Sequence, residues 1–308
     1  MNKQLQRAIF FCAVIFCITP FSSPPVALFL GLVIALVLGN PIEKYNSKIS
    51  KRLLQISVIG LGFGMNINAA IKSSTEGFLF TIAIIVITMI AGMIVGKYLK
   101  VDKNISTLIS SGTAICGGSA IAAVSTAINS KDEDTAVSIG TVFILNAVGL
   151  FLFPLIGHYL NMSQESFGMW SAISIHDTSS VVGAAQSYGD KALAIAVNVK
   201  LTRALWIIPL VLTIILVTRS KNSKIQIPWF IGGYIIAMLI ASYIPSISEI
   251  SIGTAHTAKK LLTVTLFFIG AGITRSNLKK VGIRPLLLGI ILWMLIGVVS
   301  FYSVKMFY

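Results

Sequence analysis

The sequence predicts an all-α polytopic membrane protein, and three observations carry that prediction. Hydrophobic residues make up 56% of the 308-residue chain and charged residues 11%. Apolar runs approaching the roughly 20 residues of a bilayer crossing recur throughout, which a soluble core does not require. The basic residues gather in short loops between those runs. Eleven hydrophobic segments follow, at about 6–20, 25–39, 53–69, 77–97, 104–128, 135–159, 165–188, 190–218, 228–244, 247–273 and 285–305. They leave no room for a soluble domain. Residues 1–308 therefore read as one transmembrane domain, with an extra amino-terminal helix at 6–20, a first half at 25–159 and a second at 165–305.

The basic clusters are Lys3/Arg7, then Lys44, Lys48, Lys51 and Arg52, then Lys97, Lys100 and Lys103, then Arg219, Lys221 and Lys224, and last Arg275, Lys279, Lys280 and Arg284. Segment parity allows all of them on one side, and the positive-inside rule makes that side the cytoplasm. The amino terminus is then cytoplasmic and the carboxyl terminus outside. This bias accounts for the net charge of +14 without nucleic acid, because no stacking aromatics interleave the basic residues. Lys3 and Arg7 before an apolar run resemble the start of a signal peptide, but no small-residue cleavage site follows, and the run reads as the first helix. Cys12, Cys17 and Cys116 lie in apolar segments without metal-ligand spacing, so neither a disulfide framework nor a metal site is expected. No phosphate-binding loop of the form G-x-x-x-x-G-K-[ST] occurs, and no cofactor is expected.

Against this apolar background Lys200 and Arg203 stand out. Ala192–Val217 carries no other charge, and a charge near the bilayer centre costs roughly 2.5–3.5 kcal/mol on insertion scales. A helix starting near Asp190 puts both residues about 15–20 Å along its axis, on one face. Two cations converging on one buried spot point to an anion.

Internal similarity is the next signal, since secondary transporters are built from inverted repeats around a midplane site. Leu53–Asn66 resembles Leu261–Thr274, with Gly62 and Gly64 matching Gly270 and Gly272, and Pro25–Pro41 resembles Pro228–Pro245. Ser111–Val124 (SGTAICGGSAIAAV) matches Ser171–Ala184 (SAISIHDTSSVVGA), and Asp134–Pro154 matches Asp190–Pro209. The third pair is two segments apart, so inversion requires 104–128 and 165–188 to be re-entrant; the alternative is two broken spanning helices. Either way, unwound backbone is tolerated in lipid only where protein buries it or it lines a cavity, and it exposes helix-terminal amides that attract anions. Gly112, Thr113, Cys116, Gly117, Gly118 and Ser119 are accordingly the candidates for a backbone cradle, against the alternative of close packing through small residues.

His176 and Asp177 sit mid-segment, flanked by Ser174, Thr178, Ser179 and Ser180. Ionisable groups at depth are costly and mark pathways or proton relays, so this pair is the candidate for coupling. The structural alternative is an ion pair of Asp177 with Lys200 or Arg203. Asn146 reads as a further cavity-lining residue, and Lys259 and Lys260 as snorkelling from a helix end.

SGTAICGGSAIAA at 111–123, ISIHDTSSVVGAA at 173–185, AVNVKLTRALWIIP at 196–209 and the ending LLTVTLFFIGAGIT…VGIRPLL together resemble the YeiH-type family of bacterial membrane proteins, over nearly the whole chain. In relatives the acidic residue after the His is often Glu; here it is Asp177. The family carries a sulfate-exporter label, a class of cargo rather than a demonstrated substrate. The resemblance implies a multi-pass plasma-membrane protein of the cation:proton antiporter and anion transporter superfamily, with inverted repeats and broken helices.

The leading reading is a secondary transporter, in the exporting direction, of a small anion such as sulfate or a sulfonate-related oxyanion. Lys200, Arg203, Thr113, Cys116, Gly117, Gly118, Ser119 and Ser179 would bind it, with His176 and Asp177 in coupling. A cation/proton antiporter using Asp177 is the runner-up. A membrane enzyme using Cys116 and His176 is a third reading, weak because their separation is unknown, and a passive channel a fourth. The expected partners are the small anion, the lipid bilayer and a second copy in a homo-oligomer.

Overall fold

The computed structural model describes residues 3–19, 21–65, 67–68, 78–218, 229–244, 247–272 and 282–307. Among these residues the secondary structure is helical, with no strand. The chain divides into two units. The first comprises Met1–Ile71 and Pro228–Asn277, and the second Lys72–Ile227 and Leu278–Tyr308.

The first unit holds α1 (Lys3–Ile18), α2 (Pro24–Val37), α3 (Glu43–Gly62), α12 (Trp229–Tyr243) and α13 (Ser248–Ala271). Pro24 and Pro25 open α2, where their missing N–H groups leave no helical bond unmade. The helix α13 is the hub, packed on α2 and α3. A Cβ on Gly31 would strike the Phe267 carbonyl, and one on Gly270 the Leu28 carbonyl. Only glycines let these two backbones touch, as small residues do generally between membrane helices. At the end of α13, Asn40 Nδ2 donates at 2.8 Å to Ala271 O, one of the carbonyls a helix terminus leaves without an intrahelical partner, and Asn46 Nδ2 donates at 2.8 Å to Phe268 O, which the Gly272 amide also serves.

Two expectations change here. Lys44, Lys48, Lys51 and Arg52 are not loop residues; they ride on the first turns of α3, which begins ten residues before the expected segment, and all four are exposed. Lys259 and Lys260 lie in the middle of the 24-residue α13, not at a helix end. Arg219, Lys221, Lys224, Arg275, Lys279 and Lys280 lie outside the described residues, as do Asn66, Pro228, Pro245 and Thr274 at the ends of the compared stretches.

The second unit holds α4 (Phe78–Tyr98), α5 (Lys103–Ala114), α6 (Gly118–Ala127), α7 (Asp132–Tyr159), α8 (Gln164–Ser174), α9 (Thr178–Tyr188), α10 (Asp190–Leu205), α11 (Ile207–Thr218) and α14 (Ile283–Phe307). Four stretches here are long and apolar enough to cross a membrane: Thr81–Tyr98, Asp132–Tyr159, Asp190–Leu216 and Ile283–Met306. Their outer faces carry exposed Ile87, Ile90, Ile94, Leu155 and Met294, while Ser110, Asn146, Lys200 and Ser300 are buried. Apolar outside and polar inside is the distribution lipid demands. Pro209 lacks the N–H that would bond the Leu205 carbonyl, and there the expected segment 190–218 divides into α10 and α11.

Both Gly/Ser-rich segments are broken, and both turn back on themselves. Tyr188, the last residue of α9, donates to Met162 O at 2.7 Å and stacks on Phe167 at 3.8 Å, so the segment ends beside where it began. Gln164 Oε1 accepts from the Lys191 amide at 3.0 Å, and Lys191 pairs with Glu165 at 3.4 Å, closing the same mouth. In the other segment a Cβ on Gly112 of α5 would lie 2.8 Å from the Ile121 side chain of α6. The turn is made at Gly117, whose φ of +63° favours a residue without a side chain. Each arm of 10–12 residues is about 15–18 Å long, half a bilayer core.

Overpacking the α2–α13 contact should destabilise the first unit. Gly270→Leu is expected to lower the thermal midpoint in detergent micelles, by about 1–3 kcal/mol of lost packing. Gly253→Leu, placed where no atom lies within 4 Å, should leave it unchanged, and equal midpoints for the two variants would refute the contact's role.

Candidate functional site

The two hairpin tips meet in the second unit. A Cβ on Gly117 would sit 3.4 Å from Asp177 Cβ and 3.4 Å from Val142 Cγ1 of α7. Four helix ends therefore converge: the carboxyl ends of α5 and α8 and the amino ends of α6 and α9. Each end brings unpaired backbone groups and about half a unit charge, negative at carboxyl ends and positive at amino ends.

The side chains divide according to that field. Lys200 and Arg203, 0% and 1% exposed, serve the carboxyl ends. Lys200 Nζ donates to Ile175 O at 2.7 Å and to Ala172 O at 3.3 Å. Arg203 Nε donates to Ala114 O at 2.8 Å, with Nη2 on the same oxygen, while Nη1 donates to Ile173 O at 2.7 Å. One guanidinium thus joins the two hairpins. The planar fork of Arg suits two backbone oxygens at fixed separation, whereas Lys acts as a compact point charge.

Asp177 serves an amino end. It caps α9, its Oδ2 accepting from the Ser179 amide at 3.1 Å, the Ser180 amide at 3.4 Å and the Ser179 hydroxyl. The ion pair entertained between Asp177 and a buried cation is not formed, since among the described residues no carboxylate stands within 4.0 Å of Lys200 or Arg203. Asn146 of α7 holds the α9 turn in place, with Oδ1 accepting from the His176 amide at 3.1 Å and the Asp177 amide at 3.3 Å.

The cradle residues separate. Gly112 lies inside α5 against Ile121, which is packing rather than ligation. Gly117 caps α6 without a side chain, so no cap hydrogen bond is made there. Gly118 and Ser119 form the first turn; Ser119 is exposed and Gly118 half-buried. The Cys116 thiol is buried beside them. Thr113 Oγ1, Asn146 Nδ2 and both ring nitrogens of His176 are buried without a hydrogen-bond partner. Such groups cost about 1–3 kcal/mol each when unpaired, and cluster where ligands or water serve them. The structure thus brings Lys200, Arg203, Cys116, Gly117, Gly118, Ser119, His176, Asp177 and Ser179 to one crossing. Sequence reasoning read Asn146 only as a cavity-lining residue; its signal was a carboxamide in an apolar run, matched to Thr202 in the compared stretch.

The matching of SGTAICGGSA with SAISIHDTSS pairs Gly117 with Asp177, the two caps now found facing each other. The family model "Conserved hypothetical protein 698" matches residues 8–303. The chain belongs to this family. Relatives in it are described as UPF0324 membrane proteins. That of Bacteroides thetaiotaomicron is 51% identical over 277 residues, covering 89% of this chain and 84% of its own. That of Shewanella oneidensis is 50% identical over 298 residues, covering 97% and 94%, and that of Geobacter sulfurreducens 43% over 305 residues, covering 99% and 98%. The resemblance to the YeiH-type family stands with these matches. No solved structure matches the chain. Membership and the apolar helices together make this a membrane protein, set in a lipid bilayer.

Loss of the Arg203 fork should loosen both hairpins at once. Arg203→Lys can reach only part of the span between Ala114 O and Ile173 O, leaving at least one carbonyl unpaired at a cost of about 1–3 kcal/mol. A lowered thermal midpoint despite the kept charge is the expected result; an unchanged midpoint would show that the fork is dispensable.

Proposed function

We propose that the protein is a secondary transporter of a small anion, bound where the two hairpin tips meet. The observation that carries the reading is electrostatic. Two fully buried cations and one carboxylate occupy the crossing, and the four helix ends cancel in pairs, leaving an excess of one positive charge in a region of low dielectric. An anionic cargo relieves that excess. The cations act mainly by holding the tips, while the exposed first turn of α6 receives the cargo; His176 and Asp177 are assigned the coupling role.

The finer topology belongs to the same proposal. We take the hairpins as re-entrant from opposite sides and the halves 25–159 and 165–305 as inverted repeats. In support, both members of each compared pair fall within the same unit. Removing two crossings leaves the parity of the basic clusters intact, so the amino terminus stays cytoplasmic and the carboxyl terminus outside, in the plasma membrane. Export is the assigned direction, and sulfate or a sulfonate-related oxyanion is the cargo suggested by the family label. No enzymatic step is assigned: Cys116 is buried, and Cys116→Ser should leave flux nearly unchanged.

Purified protein in liposomes should show saturable anion uptake that depends on a counter-ion or proton gradient. Asp177→Asn keeps a capping oxygen and so the fold; it should preserve anion flux while altering its pH dependence. If instead the wild type moves no anion, and a cation gradient drives proton movement that Asp177→Asn abolishes, the antiporter reading replaces this one.

A further inference from the structure

The two hairpins end in matched turns with one difference. In α9 the capping position holds Asp177, whose carboxylate takes two first-turn amides and a serine hydroxyl. In α6 the same position is Gly117, held at φ +63° and ψ −126°, with no cap hydrogen bond. Gly118 and Ser119 follow, and Ser119, like Ser179, offers an amide and a hydroxyl.

A second observation points into the same place. Asn146 is 4% exposed, and its Nδ2 has no partner. Both groups bonded to its Oδ1 are backbone donors, so the oxygen faces the α9 turn and the nitrogen faces away from it. Asn146 stands one turn beyond Val142 on the same face of α7, and Val142 Cγ1 is 3.4 Å from the Gly117 Cβ position. The carboxamide is also tied to Asp177, whose amide donates to it at 3.3 Å and whose Cβ lies 3.4 Å from the Gly117 Cβ position, so it stands beside the start of α6.

From this we infer that the cargo is a small monovalent oxyanion that supplies the missing cap of α6. It accepts hydrogen bonds from the Gly118 and Ser119 amides, the Ser119 hydroxyl and Asn146 Nδ2, as the Asp177 carboxylate does for α9. The inference rests on the anion-transport reading and narrows its substrate class. The charge follows from the same excess of one: a monoanion neutralises the crossing, whereas a dianion overshoots it unless a proton enters with it. Nitrate, formate and hydrogencarbonate have the right charge and at least two acceptor atoms, as has the sulfonate group of the proposed cargo class, whereas sulfate, the other member of that class, carries one charge too many.

Ser119→Asp tests the assignment, because it places a carboxylate in the first turn of α6, where negative charge is favourable and the backbone is helical. Binding is read as the thermal shift of detergent-purified protein titrated with nitrate, formate, hydrogencarbonate and sulfate at fixed ionic strength and pH. The wild type should respond to the monovalent ions at concentrations at least about tenfold below those needed for sulfate. Ser119→Asp should lose the response by a similar factor without a fall in its own midpoint. Equal responses of Ser119→Asp and wild type overturn the site, and a preference for sulfate overturns the charge class. The wild-type selectivity decides the second point even if the variant does not fold. Absence of flux for every anion in liposomes removes the transport reading itself, whereas anion flux with an unaltered Ser119→Asp titration removes only this assignment.

Discussion

Interrupting a helix in a non-aqueous interior leaves backbone carbonyls and amides that must find partners, and the second unit is organised around meeting that demand. Arg203 is the centre of the solution. Its guanidinium takes Ala114 O from one hairpin and Ile173 O from the other, so neither tip can move without breaking the partner's hydrogen bond. Lys200 completes the carboxyl end of α8, and Asn146 and Asp177 complete the start of α9. An apolar side chain at any of these positions would strand a polar group in a medium that offers no replacement.

The cost of burying two cations is offset here by carbonyl oxygens and by the negative ends of two helices, with no acidic partner in contact among the described residues. This resolves the tension in the primary structure, where Lys200 and Arg203 stood in an apolar run with nothing beside them to neutralise their charge. In the proposed reading the two cations hold the tips and the cargo meets the amino end of α6, so the sign of the proposed cargo follows from the same excess of positive charge.

Several features were legible from residue order because they depend on local pattern. Apolar runs marked the helices, the Gly/Ser/Thr-rich stretches marked two segments as broken, and i, i+3 spacing placed Lys200 and Arg203 on one face. Other features were hidden because they depend on what stands opposite. Asn146 read as a cavity-lining residue, yet the amides it holds belong to a turn about thirty residues away in the chain. Gly112 looked like part of a ligand cradle, but Ile121 fills the space beside it. The basic run Lys44–Arg52 looked like a loop because charge masks a helix whose buried side is carried by Asn46 and Ser57.

By itself the amino-acid sequence determined that the chain is helical, that it belongs in a bilayer, that two segments are interrupted and which sign of charge is buried, since each follows from the composition and spacing of neighbouring residues. The tertiary structure alone decided that the broken segments are hairpins and that their tips touch. It also decided that the buried cations cap carbonyls rather than pair with Asp177. Those outcomes depend on which helix ends are brought together across long stretches of chain, and hydrogen bonds between such ends leave no periodic trace in the order of residues.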